Sequence, residues 1–246
     1  SNVEASGAST SSFSGTNATT HSYTVVTIDA AGNETPSVCS NAILIDTTAP
    51  NNATTLAWTE GASANTTPVN ATWVVSGSAD KASQVINVHT SGTCGGAPTT
   101  TQALASNIAT YSFAGAVTNN TYSFTVSTID NAGNTATTAC SAGIFIDTTA
   151  PADATGLGWT QTSPFSGTTV AATWTPSVDA DLASQAVQFY STGTCTTPFG
   201  ASVPLASAAV TQSLPGVTNG NTYSYIVTST DTAGNSDVTA CSATIV

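Results

Sequence analysis

Two kinds of side chain in this sequence, cysteine and aspartate, recur at positions where they could form covalent bonds or bind ions. Among the five cysteines, Cys94 and Cys140 are separated by the same interval as Cys195 and Cys241. Equal spacing predicts equal pairing, and paired cysteines are typical of an oxidising compartment. The partner of Cys39 at that interval would lie before the first residue. We therefore expect Cys39 either to have lost its partner through truncation or to pair with another molecule.

The other residue types that support catalysis do not recur. The two histidines, His21 and His89, have no counterpart in the neighbouring repeats, and we interpret them as ordinary strand residues. Serine and threonine are abundant, but without a repeated histidine no activated nucleophile is indicated. Lys81 aligns with Leu182, which excludes a lysine–asparagine cross-link shared by the repeats. The sequence therefore predicts a protein that is not an enzyme.

The cysteines and aspartates belong to a repeat of 101 residues, the difference between positions 39 and 140 and between positions 140 and 241. Such a period matches a domain with its own core and is too long for a solenoid repeat. Asp-Thr-Thr-Ala-Pro opens the repeats at residues 46 and 147. Its proline restricts the preceding residue, so we expect short, stiff junctions and a rod-like array. The predicted division is the C-terminal half of a module at 1–45 (first module) and complete modules at 46–146 (second module) and 147–246 (third module).

The composition indicates an all-β chain. Charged residues make up 6% of the sequence and methionine is absent, so residues that favour helices are scarce. Apolar residues alternate in short runs such as Tyr122, Phe124 and Val126, which is typical of half-buried strands. The net charge of −12 repels phosphate backbones and anionic membranes, so we exclude nucleic acid as a partner. No apolar run is long enough for this segment to insert into a membrane.

Residues 1–45 carry the pattern of the last three strands of a module and nothing before it. Such a half-sandwich leaves a core face and a sheet edge open to water. We expect it to be completed either by an upstream segment or by another chain. Completion within a homopolymer is the less favoured alternative, because the third module has all of its strands and offers no spare one.

Two stretches of sequence together resemble bacterial fibronectin type III or related immunoglobulin-like modules. The first is a Leu-x-Trp pair followed by a Val-x-Ala-x-Trp strand, and it begins at Leu56 and again at Leu157. The second runs from Leu214 through Pro-Gly-Val-Thr-Asn-Gly-Asn-Thr to Tyr223, and continues to the Asp231-x-Ala-Gly-Asn turn. Modules of this kind occur as tandem repeats in large secreted surface proteins of the adhesin type.

The resemblance implies an all-β fold of tandem seven-stranded sandwiches. In the second module, strand F would span 122–130 and strand G would span 140–146. The cysteines depart from the immunoglobulin pattern, because Cys94 follows the third strand and Cys140 opens strand G. Their bond would staple a sheet edge instead of crossing the core, and a loop of this size contributes about 4 kcal/mol by the chain-entropy estimate.

The recurring aspartates are the candidates for ion binding. In a fibronectin-type sandwich the incoming linker, the B–C loop and the F–G turn lie at one pole, so their carboxylates could converge. Such oxygen ligands suit calcium, which would stiffen the junction and offset acidic repulsion; no other cofactor is expected. The favoured alternative is that the turn aspartates bond their own backbone and the linker aspartates are solvated. The candidates are Asp46, Asp80 and Asp130 in the second module and Asp147, Asp181 and Asp231 in the third.

These features predict a stalk or shaft segment of an extracellular, cell-surface protein that projects an adhesive end. Its partners would be neighbouring modules of the same chain and, in a filament, identical chains. One alternative is that the modules are spacers in a secreted polysaccharide-degrading enzyme. Another is that the chain is a subunit of a polymeric extracellular fibre, with Cys39 and the open half-module as the joint.

Overall fold

The computed structural model describes residues 3–246, and all regular secondary structure in this range is β-strand. The first module contains β1 (Thr19–His21), β2 (Val26–Ile28), β3 (Glu34–Pro36) and β4 (Ile43–Ile45). The second module contains β5 (Thr54–Trp58), β6 (Ser63–Ala64), β7 (Val69–Val74), β8 (Lys81–His89), β9 (Thr100–Ala105), β10 (Thr110–Phe113), β11 (Asn120–Asp130), β12 (Thr135–Thr137) and β13 (Ile144–Ile146). The third module contains β14 (Thr155–Trp159), β15 (Thr169–Thr175), β16 (Leu182–Tyr190), β17 (Val203–Ala206), β18 (Thr211–Pro215), β19 (Ser224–Asp231) and β20 (Ser236–Val238).

Each complete module is a sandwich of two sheets. In the second module the smaller sheet has the order β10-β7-β5, and the larger sheet contains β9, β8 and β11. Strands β12 and β13 both pair with β11 in the larger sheet, and β6 pairs with β13 in parallel. The third module repeats this order with β18-β15-β14 and β17-β16-β19-β20, and a bridge between Tyr223 and Ile245 replaces β13. The predicted all-β fold of tandem sandwiches is confirmed, and the strand order is fibronectin type III-like.

Alternating apolar residues fill one core in each complete module. On β11, Tyr122, Phe124 and Val126 are at most 2% exposed, as expected for the inward positions of a strand. The buried cluster of the second module takes its residues from positions 53–146, and that of the third from positions 154–245. The sequence alternation therefore predicts correctly which face of each strand packs inward.

A tryptophan and a glutamine connect the two sheets inside each core. Trp73 Nε1 on β7 donates to Gln84 Oε1 on β8 (3.0 Å), and Trp174 donates to Gln185 in the same way (2.7 Å). Gln84 Nε2 donates in turn to two backbone carbonyls, at 2.9 and 3.2 Å. Both glutamines are at most 2% exposed. A buried amide is tolerated here because both of its ends are hydrogen-bonded.

Strand G is interrupted, which corrects the predicted span of 140–146. In the second module it consists of β12 and β13, and Cys140 lies between them. In this gap the Thr138 and Ser141 hydroxyls accept from the N–H groups of Val126 (3.1 Å) and Phe124 (2.9 Å) on β11. The side chains supply hydrogen-bond acceptors that the irregular backbone does not, so the sheet continues without a continuous final strand.

The first module is an open half-sandwich. Strand β1 pairs with β4, and β2 pairs with β3. Among residues 3–45 there is no strand that corresponds to β7 or β8. Tyr23, Val25 and Ile43 are consequently 65%, 56% and 57% exposed. These apolar side chains of the first module are therefore exposed in the part of the chain that the structure describes.

Candidate functional site

The aspartate of each F–G turn fixes its own turn. Asp130 Oδ1 accepts from the Asn134 N–H (2.8 Å), and Oδ2 accepts from the Asn134 side-chain amide (2.9 Å). Gly133 has a φ of 93°, a conformation that favours glycine. Asp29 and Asp231 make the corresponding bonds. The hydrogen bonds expected from the turn interpretation are present in all three modules.

The same asparagine connects the turn to the incoming linker. Asn134 Nδ2 also donates to the Asp46 carbonyl oxygen (3.1 Å), and Asn235 donates to that of Asp147 (2.9 Å). The Asp46 carboxylate accepts from the Thr48 N–H (2.9 Å). Asp147 is 6% exposed, so it is not the solvated linker residue that the turn interpretation expected. Turn and linker are held together at this pole.

Three carboxylates meet at this pole in each complete module. Asp46 comes from the linker, Asp80 from the loop before β8 and Asp130 from the end of β11, and each places an oxygen within 4.8 Å of the others. Asp130 is 2% exposed and Asp80 is exposed, so the cluster has a buried side and a solvent side. The equivalent cluster in the third module consists of Asp147, Asp181 and Asp231.

The carboxylates of a cluster differ in their electrostatic setting. Burial raises the pKa of Asp130, but the hydrogen bonds from Asn134 and the turn backbone outweigh this effect and hold the pKa below its usual value. Burial, a hydrogen bond with Asp147, and repulsion from Asp147 and Asp231 raise the pKa of Asp181. One acid of the third-module cluster therefore resists ionisation beside its neighbours.

The third module contains no lysine, arginine or histidine, since Lys81 is the single lysine or arginine of the chain and both histidines precede residue 147. In the second module, Lys81 Nζ donates to the Ser78 carbonyl oxygen (3.3 Å). Carboxylate oxygens from a linker and two loops are the ligands that calcium prefers. The residues therefore fit a calcium ion, and calcium binding stays a prediction.

Backbone N–H groups of each linker also donate to side chains of both flanking modules. In the preceding modules the acceptors are side chains of the loop before strand F or its equivalent: Thr47 donates to Asn17 Oδ1 (2.8 Å) and Thr148 to Thr118 Oγ1 (3.1 Å). In the following modules Asn51 donates to Ser78 Oγ (2.8 Å) and Ala152 to the Asp179 carboxylate. The two junctions therefore use the same positions for the same contacts.

The predicted disulfides Cys94–Cys140 and Cys195–Cys241 are present, with Cα–Cα distances of 5.7 and 5.8 Å. Cys94 Sγ lies 3.3 Å from the hydroxyl of Ser123, which is fully buried on strand F. Each bond links the loop after β8, or after β16 in the third module, to the gap in strand G. It therefore lies over strand F, on the outer side of the larger sheet.

The remaining candidates lie apart from the clusters. Cys39 is free and exposed. His21 lies on β1 and is hydrogen-bonded to Thr19 (2.7 Å), and His89 ends β8 and is 7% exposed. Both histidines are strand residues, as the sequence indicated.

Sequence reasoning missed two sets of structural polar residues. The sequence pattern places the asparagine of each Ala-Gly-Asn turn within the turn and does not indicate its bond to the linker. The buried glutamines, Gln84 and Gln185, were not singled out. Both sets recur at the repeat interval of the sequence. The recurrence of polar residues is the sequence signal that could have identified them as structural.

Comparison with known proteins gives structural neighbours alone. A scan against family models finds no match, and a search of curated proteins finds none. The crystal structure of the chicken CNTN1 FN1–FN3 domains is similar over 91% of this chain and 76% of that one, with 14% identity and a TM-score of 0.47. A segment of two fibronectin type III domains from chicken tenascin is similar over 77% of this chain and 99% of that one, with 13% identity and a TM-score of 0.33. Because both TM-scores are below 0.5, the fold class rests on the strand order described above.

No helix among residues 3–246 is long and apolar enough to cross a membrane.

Proposed function

We propose that this chain is a non-catalytic structural segment of an extracellular surface protein, in which tandem sandwiches form a stalk or shaft. The observation that supports this proposal is the repeated junction. At both junctions the linker is hydrogen-bonded to the module before it and to the module after it, through side chains at equivalent positions. A linker fixed on both sides transmits orientation from one module to the next, which a shaft requires and independent domains on a flexible tether do not.

The disulfides support an extracellular location, because such bonds persist in oxidising compartments. Each complete module carries one, at the same place. A covalent bond in each complete module is also suited to a part that must survive mechanical load and proteases outside the cell. The adhesive end that such a stalk would present is a further part of this proposal.

We further propose that each aspartate cluster binds a calcium ion, which would stiffen the junction. The ion would be held by carboxylates that the fold already brings within 4.8 Å of one another. Because one carboxylate belongs to the linker and the others to the sandwich, binding would fix the linker to the module. It would also offset part of the net charge of −12.

Small-angle X-ray scattering tests the stalk. A compact body of this length would have a radius of gyration of about 18 Å, and we expect a clearly larger value from a monomer in calcium. Light scattering on the same sample checks that the particle is a monomer. A radius near that of the compact body would overturn the proposal, and a concentration-dependent polymer would favour a fibre subunit instead.

A further inference from the structure

The first module exposes a surface that is a core in the other two. We call Tyr23, Val25 and Ile43 the open face, and all three are more than half exposed. Their equivalents at the repeat interval in the second module, Phe124, Val126 and Ile144, are 0% exposed. An apolar surface of this kind on a sheet is expected to have a partner. The complete modules show what that partner is made of.

In both complete modules the same elements cover these positions. Trp58 packs edge-on against Phe124 at a ring distance of 5.0 Å, and Trp73 lies 6.2 Å from the same ring. In the third module two tryptophans pack on Tyr225 at the same two distances. Strand β8 pairs along the whole of β11 from Ser123 onwards. The partner of the open face is therefore expected to bring two tryptophans and a pairing strand.

Cys39 lies where a disulfide would complete the half-module. Its Sγ is 3.1 Å from the Ser22 hydroxyl. In the complete modules the equivalent serines, Ser123 and Ser224, lie 3.3 and 3.2 Å from the sulfurs of Cys94 and Cys195, which are the disulfide partners of the cysteines equivalent to Cys39. The thiol is exposed, and it sits beside the serine that accompanies the disulfide in the other modules.

The chain entering β1 already follows the path of a complete module. Ala18, directly before β1, has a φ of 60° and donates its N–H to the Ile45 carbonyl oxygen (2.8 Å), and the equivalent Asn119 has a φ of 61° and donates to the Ile146 carbonyl oxygen (2.7 Å). In the second module this turn follows β10, a strand of the smaller sheet. Followed towards the N-terminus, this path leads to the strands that cover the core. It points to a covering segment in the same polypeptide.

We propose that the open face is the docking surface for a segment of the same type as residues 46–114, which precedes Ser1 in the same polypeptide, and that Cys39 forms a disulfide with a cysteine of that segment. That cysteine would follow Gly-Thr, as Cys94 and Cys195 do. The bond forms by exchange with a protein disulfide of the oxidoreductase class. Two thiols become one disulfide, and the donor disulfide takes up the two electrons and two protons. This inference does not depend on the stalk function.

Disulfide mapping of the protein isolated from its source, digested without reduction, tests the proposal directly. We expect the Cys39 peptide to be linked to a Gly-Thr-Cys peptide of the same polypeptide, 46 residues away as in the complete modules. A free Cys39, a bond between Cys39 residues of two copies, or a bond to a different polypeptide would overturn it.

A grafted chain provides the second test. A copy of residues 46–114 is joined directly to Ser14 of this chain, so that the copy of Cys94 lies 46 residues before Cys39, as in the complete modules. We expect the thiol titre without denaturant to fall from one per chain to none. We also expect backbone amides at 22–29 to exchange at least tenfold more slowly than in the chain without the graft.

The matched controls separate docking from the covalent bond. With Cys94→Ser in the copy, Cys39 should stay reduced while amides at 22–29 remain protected. With Trp73→Glu in the copy, docking should fail and protection should disappear. If the graft leaves Cys39 reactive and these amides unprotected, residues of this type do not cover the open face and the proposal is wrong.

Discussion

At the scale of single residues, one aspartate serves both the turn and the cluster. Asp130 and Asp231 satisfy the N–H groups of their own turns and also face two more carboxylates. Asp29 makes the same turn bonds in the first module. The turn bonds alone therefore account for the recurrence of this residue. The complete modules differ from the first in having two further carboxylates close to this aspartate.

Replacing Asp181 by asparagine separates repulsion from ion binding. The pKa of Asp181 is raised in the folded state, so folding favours its protonated form, and stability falls as pH rises from about 3.8 through the folded pKa. At pH 7 in chelator, Asp181→Asn should therefore raise the melting temperature of the third module. Adding calcium should raise the melting temperature of the third module more in the wild type than in the variant.

The control for this prediction is Asp237→Asn, which removes the same charge from an exposed position outside the cluster. Differential scanning calorimetry in chelator and in calcium measures all three proteins. An equal calcium effect in the wild type and in the Asp181 variant would show that the cluster is not the binding site.

Alkaline pH should act on the third module through Tyr225. Burial raises the pKa of this phenol to about 12, although its hydroxyl is hydrogen-bonded to Gly158 and Thr173. Because the folded pKa lies above the ordinary value of 10, folding retains the proton, and stability is lost as pH rises from about 10 to 12. The second module has Phe124 at this position, so it lacks this contribution.

The measurement is a series of denaturant unfolding curves between pH 8 and 11, with Tyr225→Phe as the comparison. The variant should be less stable than the wild type at pH 8, because it loses the hydrogen bonds of the hydroxyl with Gly158 and Thr173, and the difference in unfolding free energy should narrow at high pH. A difference in unfolding free energy that stays constant from pH 8 to 11 would contradict a raised pKa for Tyr225.

At the scale of elements, the two sheets are connected by a polar contact within an apolar core. Replacing Gln84 by leucine would leave the buried Trp73 N–H without its acceptor and would remove the donor to two backbone carbonyls. Since a buried unsatisfied group costs about 1–3 kcal/mol, we expect a loss of about 1–3 kcal/mol in the unfolding free energy of the second module. Gln102→Leu on β9 is the matched control, because this side chain is exposed. Urea unfolding, monitored by tryptophan fluorescence, gives the unfolding free energy of both variants. Equal values for the two variants would show that the Gln84 contact between the sheets does not stabilise the module.

The sequence predicts the strands well and their edges less well. Alternation identifies the inward residues of β11, because burial on one face of a strand has a period of two. It does not locate the gap in strand G, since Thr138 and Ser141 look like ordinary strand residues until their hydroxyls are seen to replace backbone acceptors. The convergence of the aspartates followed from the resemblance, whereas the contacts of Asn134 with the linker depend on the fold.

At the scale of the whole molecule, the disulfides limit how far a pulled chain can extend. Force applied at the ends unfolds a module, but the 46-residue interval closed by each bond stays short. After reduction, each unfolding step of a complete module should lengthen by about 150–165 Å. Single-molecule pulling in oxidising and reducing buffer measures the change. In oxidising buffer, the double variant Cys94→Ser and Cys140→Ser should lengthen the unfolding step of the second module and leave that of the third module unchanged. Unfolding steps of the same length in oxidising and reducing buffer would contradict the prediction.

The interrupted strand G also affects how molecules behave when they are crowded. Exposed sheet edges with regular backbone spacing allow two proteins to join into one sheet. On the strand G side of the second module's larger sheet, the edge consists of β12, which has three residues, and of the two-residue β6, which covers β13; the backbone between β12 and β13 is bonded through hydroxyls. On this side of the sheet a neighbouring molecule finds no edge strand longer than three residues. Within the larger sheet, strand addition between molecules is therefore expected at the opposite edge, β9, and not at strand G.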